Sequence, residues 1–224
     1  NREVFSYSVD SVLLSRFPNL PKRGLIVDLC AGNGAVGLFA STRTQAQIIA
    51  VEIQERLADM AQRSIELNNL TSQMQVIQDD LKYLTRYISG SKVDMILCNP
   101  PYFKVDEHSN LNASRHYLLA RHEIATNLEE ICQISQRVLK SNGRLTMVHR
   151  PERLLDIIET MTAHNLAPKR IQFVYPKANR KANMLLIEAI KDGSRDGLKI
   201  LPPLFIHNQD GSYTPEIHEI YYGK

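Results

Sequence analysis

The sequence predicts an α/β fold in which helices cover both faces of a mostly parallel sheet. Short apolar runs, which are typical of buried strands, alternate along the chain with segments of helical period. Turn residues such as Gly, Asn and Pro separate many of these segments. The last two runs follow one another closely, as in an antiparallel pair. Together these observations predict a Rossmann-like sheet of seven strands, mostly parallel, with an antiparallel last strand.

In the first half of the chain, Val12, Leu13, Leu14 and Phe17 share one helical face and predict a helix near the N-terminus. The apolar runs that follow predict strands, and the segments with charges on one side predict helices. We therefore expect helices at 8–17, 34–42 and 54–68, and strands at 24–29, 47–51, 74–77 and 93–97.

In the second half, an amphipathic segment predicts a helix at 126–140, which we expect to end at Asn142 and Gly143. Pro151 suits the first position of the next helix, which is expected to extend to about residue 164. We expect strands at 144–148, 171–175 and 184–190, and loops at 103–121 and after residue 198.

The composition is that of one globular domain. The 224 residues are 43% hydrophobic and 23% charged, which is enough to fill a substantial core. We expect a single domain over 1–224, with an N-terminal helical segment at 1–20 and a C-terminal tail at 198–224. No apolar run approaches a membrane span and no leader pattern opens the chain. The net charge of +3 neither requires nor excludes a nucleic acid partner.

The cysteine and histidine patterns predict neither a disulfide framework nor a metal centre. Cys30, Cys98 and Cys132 are odd in number and far apart, so we expect a reducing, cytoplasmic location. His116 and His122 form the closest histidine pair, but they lack Cys or acidic partners at ligand spacing. We expect no metal, and a monomer or a weak homodimer.

A glycine-containing turn follows the first predicted strand and precedes a helix. Its sequence is Asp28-Leu29-Cys30-Ala31-Gly32-Asn33-Gly34, and its glycines allow a ligand to approach the backbone closely. Glu52 follows the second strand, roughly 20 residues further on, where a carboxylate can accept hydrogen bonds from ribose hydroxyls. Taken alone, the turn is also compatible with a structural bend and Glu52 with an acid at a helix start. Their combination favours a nucleoside-containing ligand.

The spacing of the turn argues against a nicotinamide dinucleotide. Cys30 occupies the first glycine position of the dinucleotide fingerprint, and Gly37 matches the third only if one residue is added. A cofactor without a pyrophosphate, such as S-adenosylmethionine, needs that phosphate cradle less. Asp79 and Asp80 close the third strand, and we expect Asp80 to accept a hydrogen bond from the adenine amine, although a plain loop acid is the alternative. The candidate cofactor residues are Asp28, Cys30, Ala31, Gly32, Asn33, Gly34, Glu52, Ile53, Asp80 and Asn99.

A second motif, Asn99-Pro100-Pro101-Tyr102, ends the fourth predicted strand. Two prolines stiffen the backbone and leave carbonyl groups as acceptors. Hydrogen bonds from a conjugated amine to the Asn99 side-chain oxygen and the Pro100 carbonyl would make its nitrogen more tetrahedral and more nucleophilic. Tyr102 could stack on a planar substrate, and Phe103 could extend this stacking surface. An isolated tetrapeptide of this kind is also compatible with a rigid turn.

The combined pattern resembles the class I amino-methyltransferases with an Asn-Pro-Pro-Tyr motif, which include DNA adenine, RNA guanine and release-factor glutamine methyltransferases. Across nearly the whole chain it most resembles the bacterial tRNA(Val) adenine N6-methyltransferase family, which modifies the adenine beside the anticodon. The segments that carry this resemblance are 5–14, 121–123, 149–154 and 168–170. Cys30 departs from the usual first glycine or small residue of the turn, but it is small enough to fit.

The resemblance implies an S-adenosylmethionine-dependent N-methyltransferase that acts on an exocyclic amine, with Asn99, Pro100, Pro101 and Tyr102 as catalytic residues. It also implies that Asp10 lies near the cofactor and that tRNA is the partner. Candidate phosphate contacts form a basic cluster near the last strands: Lys169, Arg170, Lys177, Arg180 and Lys181. A solvated basic loop is the alternative.

Three other functions remain open at this point. A release-factor glutamine methyltransferase would use the same motif, but those enzymes carry an N-terminal helical domain, and here only about two turns of helix precede the first strand. A non-catalytic RNA chaperone that binds S-adenosylmethionine would be expected to have a broken motif. A small-molecule O-methyltransferase would have little use for two acceptors directed at an NH₂ group.

Overall fold

The computed structural model describes residues 8–101 and 128–222 of the chain. The first range contains α1 (Val9–Arg16), β1 (Leu25–Leu29), α2 (Ala35–Ser41), β2 (Gln47–Glu52), α3 (Glu55–Leu67), β3 (Met74–Gln78), a 3-10 helix (Leu81–Arg86) and β4 (Val93–Cys98). The second contains α4 (Leu128–Val138), β5 (Leu139–His149), a 3-10 turn (Pro151–Arg153), α5 (Leu154–Ala163), β6 (Leu166–Tyr175), β7 (Met184–Lys191), β8 (Lys199–Ile200), β9 (Leu204–Phe205) and α6 (Pro215–Tyr222).

The described strands form one sheet in the order β3-β2-β1-β4-β5-β7-β6-β8, and β9 also pairs with β6. Strands β1 to β5 are parallel to one another, because a helix or a 3-10 segment connects each strand to the next. Strand β7 is antiparallel to both β5 and β6 and lies between them. The predicted mostly parallel α/β sheet with an antiparallel last strand is therefore confirmed.

Helices cover both faces of the sheet because successive side chains of each strand point to opposite sides. In β1, Ile26 packs with α1, α2 and α3, whereas Val27 and Leu29 pack with α4 and α5 on the other face. All three side chains are fully buried. None of the helices within residues 8–101 and 128–222 is long and apolar enough to cross a membrane.

Strand β5 begins earlier than the sequence predicts. Helix α4 ends at Val138, and Leu139 already pairs with Val93 before the chain bulges and pairing resumes between Arg144 and Met95. Asn142 has a φ of 64°, a left-handed conformation that asparagine tolerates well. The bulge therefore occupies the position where a simple loop between helix and strand was expected.

The C-terminal tail is ordered against the sheet and is not the loop that the sequence predicts after residue 198. Leu201 and Ile206 donate backbone hydrogen bonds to the carbonyls of Ile171 and Tyr175 on β6, at 2.8 Å in each case. Helix α6 then buries Ile217 in the core shared with α1 and α2. Two-residue strands are too short to show a period in the sequence, so only the pairing with β6 defines them.

Candidate active site

The carboxyl ends of three neighbouring strands bring the two sequence motifs together. Leu29 of β1 pairs in register with Val51 of β2 and with Cys98 of β4. The turn that follows β1, Glu52 at the end of β2 and Asn99 after β4 therefore lie side by side. Ligands of open α/β sheets bind at this edge of the sheet.

The turn after β1 exposes its backbone to open space. Its shape depends on left-handed residues, with φ values of 57° at Cys30, 57° at Gly32 and 81° at Gly34. Ala31 donates a 3.0 Å backbone hydrogen bond to the carbonyl of Val51, which anchors the turn to β2. A Cβ atom at Gly32 would have no neighbour within 4 Å. The space beside Gly32 can therefore receive a ligand close to the main chain.

Cys30 adopts the left-handed conformation that glycine favours at this position. Its side chain is partly buried, and its thiol contacts that of Cys98. Burial and this contact raise the pKa of the Cys98 thiol well above its usual value, so Cys98 is inert as a nucleophile near neutral pH. The departure from glycine is accommodated without loss of the turn.

Glu52 is a buried carboxylate that links the turn to the start of α3. Its Oε2 accepts the N–H of Gly32 at 2.7 Å and its Oε1 accepts the N–H of Gln54 at 2.9 Å. Burial raises the pKa of Glu52, and hydrogen bonds from the backbone N–H groups of Gln54, Gly32 and Ile53 partly offset this effect. A carboxylate has about four acceptor positions, so capacity remains for ligand hydroxyls. Ile53 beside it is an exposed apolar side chain, suited to one face of an adenine ring.

Asp28 lies beneath the same turn and has no exposed surface. Its Oδ2 accepts the N–H of Gly37 at 3.0 Å, while its Oδ1 has no hydrogen-bond partner among the described residues. Burial raises the pKa of Asp28 to about 7, the hydrogen bond from Gly37 lowers it, and the charge of Glu52 raises it. A cationic ligand above the turn would favour the ionised form of this carboxyl group.

We expect Asp28→Asn to remove a pH dependence of stability. The folded pKa of Asp28 is about 7 against an unfolded value of 3.8, so the native state binds the proton more tightly. The stability that this group contributes is present below pH 3.8 and is lost as the pH rises to about 7. The free energy of unfolding of the variant relative to the parent should therefore increase over this window, by up to about 4 kcal/mol. Denaturant titrations at several pH values measure this difference in the free energy of unfolding. A difference that stays constant from pH 3.8 to about 7 would contradict the prediction.

The two acids after β3 have structural partners. Asp80 caps the 3-10 helix by accepting the N–H of Lys82 at 3.0 Å, and it pairs with the Lys82 ammonium at 2.6 Å. Asp79 accepts the N–H of Asp80 and the hydroxyl of Tyr87, each at 2.8 Å. The expected contact between Asp80 and an adenine amine stays a prediction.

Asn99 is half-buried at the end of β4, and Pro100 after it is buried. The Nδ2 of Asn99 donates a 3.4 Å hydrogen bond to the hydroxyl of Ser11 on α1. Ser11 is 7% exposed, so α1 covers this part of the motif. Tyr102 and Phe103, the predicted stacking residues, lie outside the described residues. Sequence reasoning missed Ser11, because a serine in an apolar helix gives no sign of a partner 88 residues away.

Asp10 and His149 flank this site. Asp10 is half-buried in the first turn of α1, next to Ser11, and its role near the cofactor stays a prediction. His149 ends β5, and its Nδ1 accepts the N–H of Arg150 at 2.8 Å. Burial lowers the pKa of His149 to about 4, and the charge of Arg153 adds to this effect. The imidazole is therefore neutral at physiological pH.

The fold divides the predicted basic cluster into two groups. The Nζ of Lys169 donates hydrogen bonds to the backbone carbonyls of Ser194 and Asp196, so this side chain fixes the segment that follows β7. Arg170 contacts the buried carboxylate of Glu188 at 3.5 Å and stacks on Phe17 at 4.6 Å from the ring centroid. Both residues lie in the first half of β6, and both have structural partners. They are poor candidates for phosphate contacts.

The second group, Lys177, Arg180 and Lys181, follows β6. Because β6 is antiparallel to β7, which is antiparallel to β5, its carboxyl end lies at the same edge as Asn99. Arg180 and Lys181 are exposed, and their side chains have no ion pair within the described part of the chain. Lys177 donates to the carbonyl of Gln209 at 3.1 Å.

Among residues 8–101 and 128–222 there is no group of three His, Cys, Asp or Glu side chains that could hold a metal ion. The predicted closest histidine pair, His116 and His122, lies outside these ranges. Cys30, Cys98 and Cys132 are free thiols.

The sheet order, the turn beside Gly32 and the buried acid at the end of β2 define the chain as an S-adenosylmethionine-dependent methyltransferase with a Rossmann-like fold. The backbone opening at Gly32 and the acceptor capacity of Glu52 fit this cofactor. The chain belongs to the methyltransferase small domain family, which matches residues 2–164.

Curated relatives and solved structures agree with this class. The chain is 26% identical over 214 residues to a protein of Shewanella sp. (strain MR-7) named tRNA1(Val) (adenine(37)-N6)-methyltransferase, covering 95% of this chain and 89% of the relative. A Bacteroides fragilis protein of the same name is 27% identical with the same coverage. A crystal structure of a predicted O-methyltransferase from Agrobacterium tumefaciens shares the fold, with a TM-score of 0.76, 23% identity and 96% coverage of each chain.

Proposed function

We propose that this protein transfers a methyl group from S-adenosylmethionine to the exocyclic N6 amine of an adenine in tRNA, with tRNA1(Val) as the substrate. The curated relatives support this assignment, because their sequences match along 95% of the chain and their names state this activity. The acceptor groups at the end of β4 support the amine as the site of methylation.

The observation that carries the proposal is the environment of Asn99. Its Nδ2 donates to Ser11, and this contact orients the amide so that Oδ1 on the same group serves as the acceptor. Pro100 adds a carbonyl acceptor next to it, on a backbone that the proline ring holds in place. Two acceptors match the two N–H groups of an adenine amine. Their hydrogen bonds pull the nitrogen lone pair out of conjugation with the ring and make it nucleophilic.

The cofactor supplies an electrophilic methyl group on a sulfonium leaving group. The residues of the chain then contribute position: Glu52 and the backbone beside Gly32 hold the ligand, and Asn99 lies on the adjacent strand end. Holding two reactants in line accounts for much of the rate enhancement of such a transfer. Asn99 and Pro100 accept hydrogen bonds from the two amine N–H groups, which keep their protons until the methyl group has moved to nitrogen. The methylated nitrogen then releases one proton to solvent, so no strong base is required before transfer.

The decisive experiment compares two substrates. The protein is incubated with S-adenosylmethionine labelled in the methyl group and with either tRNA1(Val) transcript or a purified release factor. We expect label in the tRNA, as N6-methyladenosine after nuclease digestion. Label in the release factor and not in tRNA would replace the proposal with the glutamine methyltransferase alternative.

We expect Ser11→Ala to lower the kcat for methyl transfer by roughly 2- to 13-fold, the effect of losing one hydrogen bond of about 0.5–1.5 kcal/mol. The KM for S-adenosylmethionine should change little, because Ser11 acts through Asn99 as a positioning residue. Ser15→Ala is the matched control: its hydroxyl lies on the same helix but donates to the carbonyl of Val12. Equal kcat values for the two variants would contradict the role of Ser11 in positioning Asn99.

A further inference from the structure

A group of aromatic rings lies at the same edge of the sheet as Asn99. Strand β9 is parallel to β6, so Ile206 and His207, which follow it, leave the sheet at the edge where β6 ends. The N–H of His207 donates to the carbonyl of Pro176 at 3.0 Å and fixes it beside the loop 176–183. The C-terminal tail therefore reaches the active-site edge.

The rings form a stack that we call the aromatic platform: His207, Tyr213 and Tyr221. His207 and Tyr213 lie 5.2 Å apart at 21°, and Tyr213 and Tyr221 lie 5.4 Å apart at 11°. Tyr213 is 37% exposed, and Tyr222 next to the platform is 66% exposed. Tyr213 lies between His207 and Tyr221 and supports both rings, and a flat ligand such as a nucleobase can stack on a face that the aromatic platform leaves open.

The aromatic platform borders a cavity of about 830 Å³, which is within the range of roughly 300–1,000 Å³ for ligand sites. Its lining includes Asp10, Arg16, Asn183, His207, Tyr213 and Tyr221. Asp10 precedes Ser11, whose hydroxyl contacts Asn99. Helix α1 thus contacts the cavity through Asp10 and the Asn99 side chain through Ser11.

Basic side chains lie beside the aromatic platform. Lys177 and Arg180 line a second depression that they share with His207, and Lys181 follows Arg180 on the exposed loop. Arg16 is exposed at the edge of the larger cavity. Stacked aromatic rings next to basic side chains are the pattern that binds single-stranded nucleic acid, since rings take the bases and cations take the phosphates.

We infer that the aromatic platform and the basic loop 176–183 bind an unpaired nucleotide that flanks the methylated adenine. This inference rests on the proposed function and specifies which part of the chain holds the RNA. Only unpaired bases offer an open face for stacking, so the surface selects a loop over a duplex. In this proposal the C-terminal tail also contributes to substrate binding.

The charge part of the inference is tested with the double variant Arg180→Glu/Lys181→Glu. Its affinity for a hairpin RNA with the loop sequence of the substrate should fall at low salt. The slope of log affinity against log salt should decrease by about 1.4, which is the loss of two phosphate contacts on a single strand. Lys22→Glu/Arg23→Glu is the matched control, since these exposed residues precede β1 at the opposite edge. Equal slopes in the two variants would overturn the inference.

The stacking part is tested with Tyr213→Ala and Tyr213→Phe. The alanine variant should bind the hairpin roughly 5- to 150-fold more weakly with an unchanged salt slope, and phenylalanine should preserve affinity because it keeps the ring. In the methylation assay the alanine variant should raise the KM for RNA and leave the affinity for S-adenosylmethionine, measured by calorimetry, unchanged. Both variants are compared by thermal unfolding to verify that the tail stays folded.

The outcomes separate the two proposals. If the parent protein methylates tRNA and Tyr213→Ala has a normal KM for RNA, the aromatic platform does not bind the RNA and the proposed function stands. If the parent methylates a release factor and not tRNA, the proposed function fails and the surface fails with it. Equal affinity of the parent for the hairpin and for a duplex of the same length would also overturn the surface.

Discussion

Replacing Asn99 by alanine is expected to lower the rate of methyl transfer at saturating substrates by about 100- to 1,000-fold. The substitution removes the Oδ1 acceptor on which the proposed activation of the amine depends, and it leaves the turn at Gly32 and the Glu52 carboxylate in place. Single-turnover kinetics measure the rate, and calorimetry should find the affinity for S-adenosylmethionine close to that of the parent.

Asn99→Asp is the informative companion variant. Aspartate has the same shape and keeps an acceptor oxygen, but it loses the Nδ2 donor that contacts Ser11. We expect its rate to lie between those of the parent and the alanine variant. Loss of cofactor binding with an intact rate at saturation, in either variant, would contradict the role assigned to Asn99.

Replacing Glu52 is expected to have the largest effect on cofactor affinity. Glu52→Ala removes a charged acceptor from the ligand, and each hydrogen bond to such a group contributes about 1.5–3 kcal/mol, which corresponds to roughly 10- to 150-fold in the dissociation constant. The rate at saturating cofactor should change much less, because Glu52 does not contact the amine. Equilibrium binding and a kcat–KM comparison measure the two effects separately.

The same substitution affects the fold, and its controls must separate that effect. Without Glu52 the N–H groups of Gly32 and Gln54 lose their acceptor, so stability should fall by about 1–3 kcal/mol. Glu52→Gln keeps one acceptor oxygen and should lie between parent and alanine in both affinity and stability. Glu55→Ala, at an exposed acid in the first turn of α3, should change neither. An unchanged cofactor affinity in a folded Glu52→Ala protein would exclude a role of Glu52 in cofactor binding.

The strand ends that form the active site could be predicted from the sequence because their signals are local. An apolar run followed by Cys30-Ala31-Gly32-Asn33-Gly34 predicts a strand and a turn without reference to the rest of the chain. Parallel strands joined by helices then place their carboxyl ends at one edge. The sequence therefore predicts that Glu52 and Asn99 belong to one site.

The basic cluster could not be interpreted from the sequence because strand direction separates its members. Arg170 and Tyr175 lie on one strand, and five residues of strand extend about 17 Å. Arg170 reaches the buried Glu188, whereas Arg180 lies beyond the end of the strand at the active-site edge. Proximity in the sequence predicts one group of phosphate contacts, whereas the fold separates these residues into a group with structural partners and an exposed group.

The sequence by itself determined the order of the strands up to β7, the turn at Gly32, and the positions of Glu52, Asn99 and Pro100 at or just after the strand ends. Each depends on residues within a few positions of one another, where backbone preferences and side-chain chemistry are local. Only the tertiary structure decided that Ser11 contacts Asn99 and that His207, Tyr213 and Tyr221 stack at the same edge. These contacts join segments far apart in the chain, and they exist because the tail pairs with β6 and the first helix packs over the end of β4.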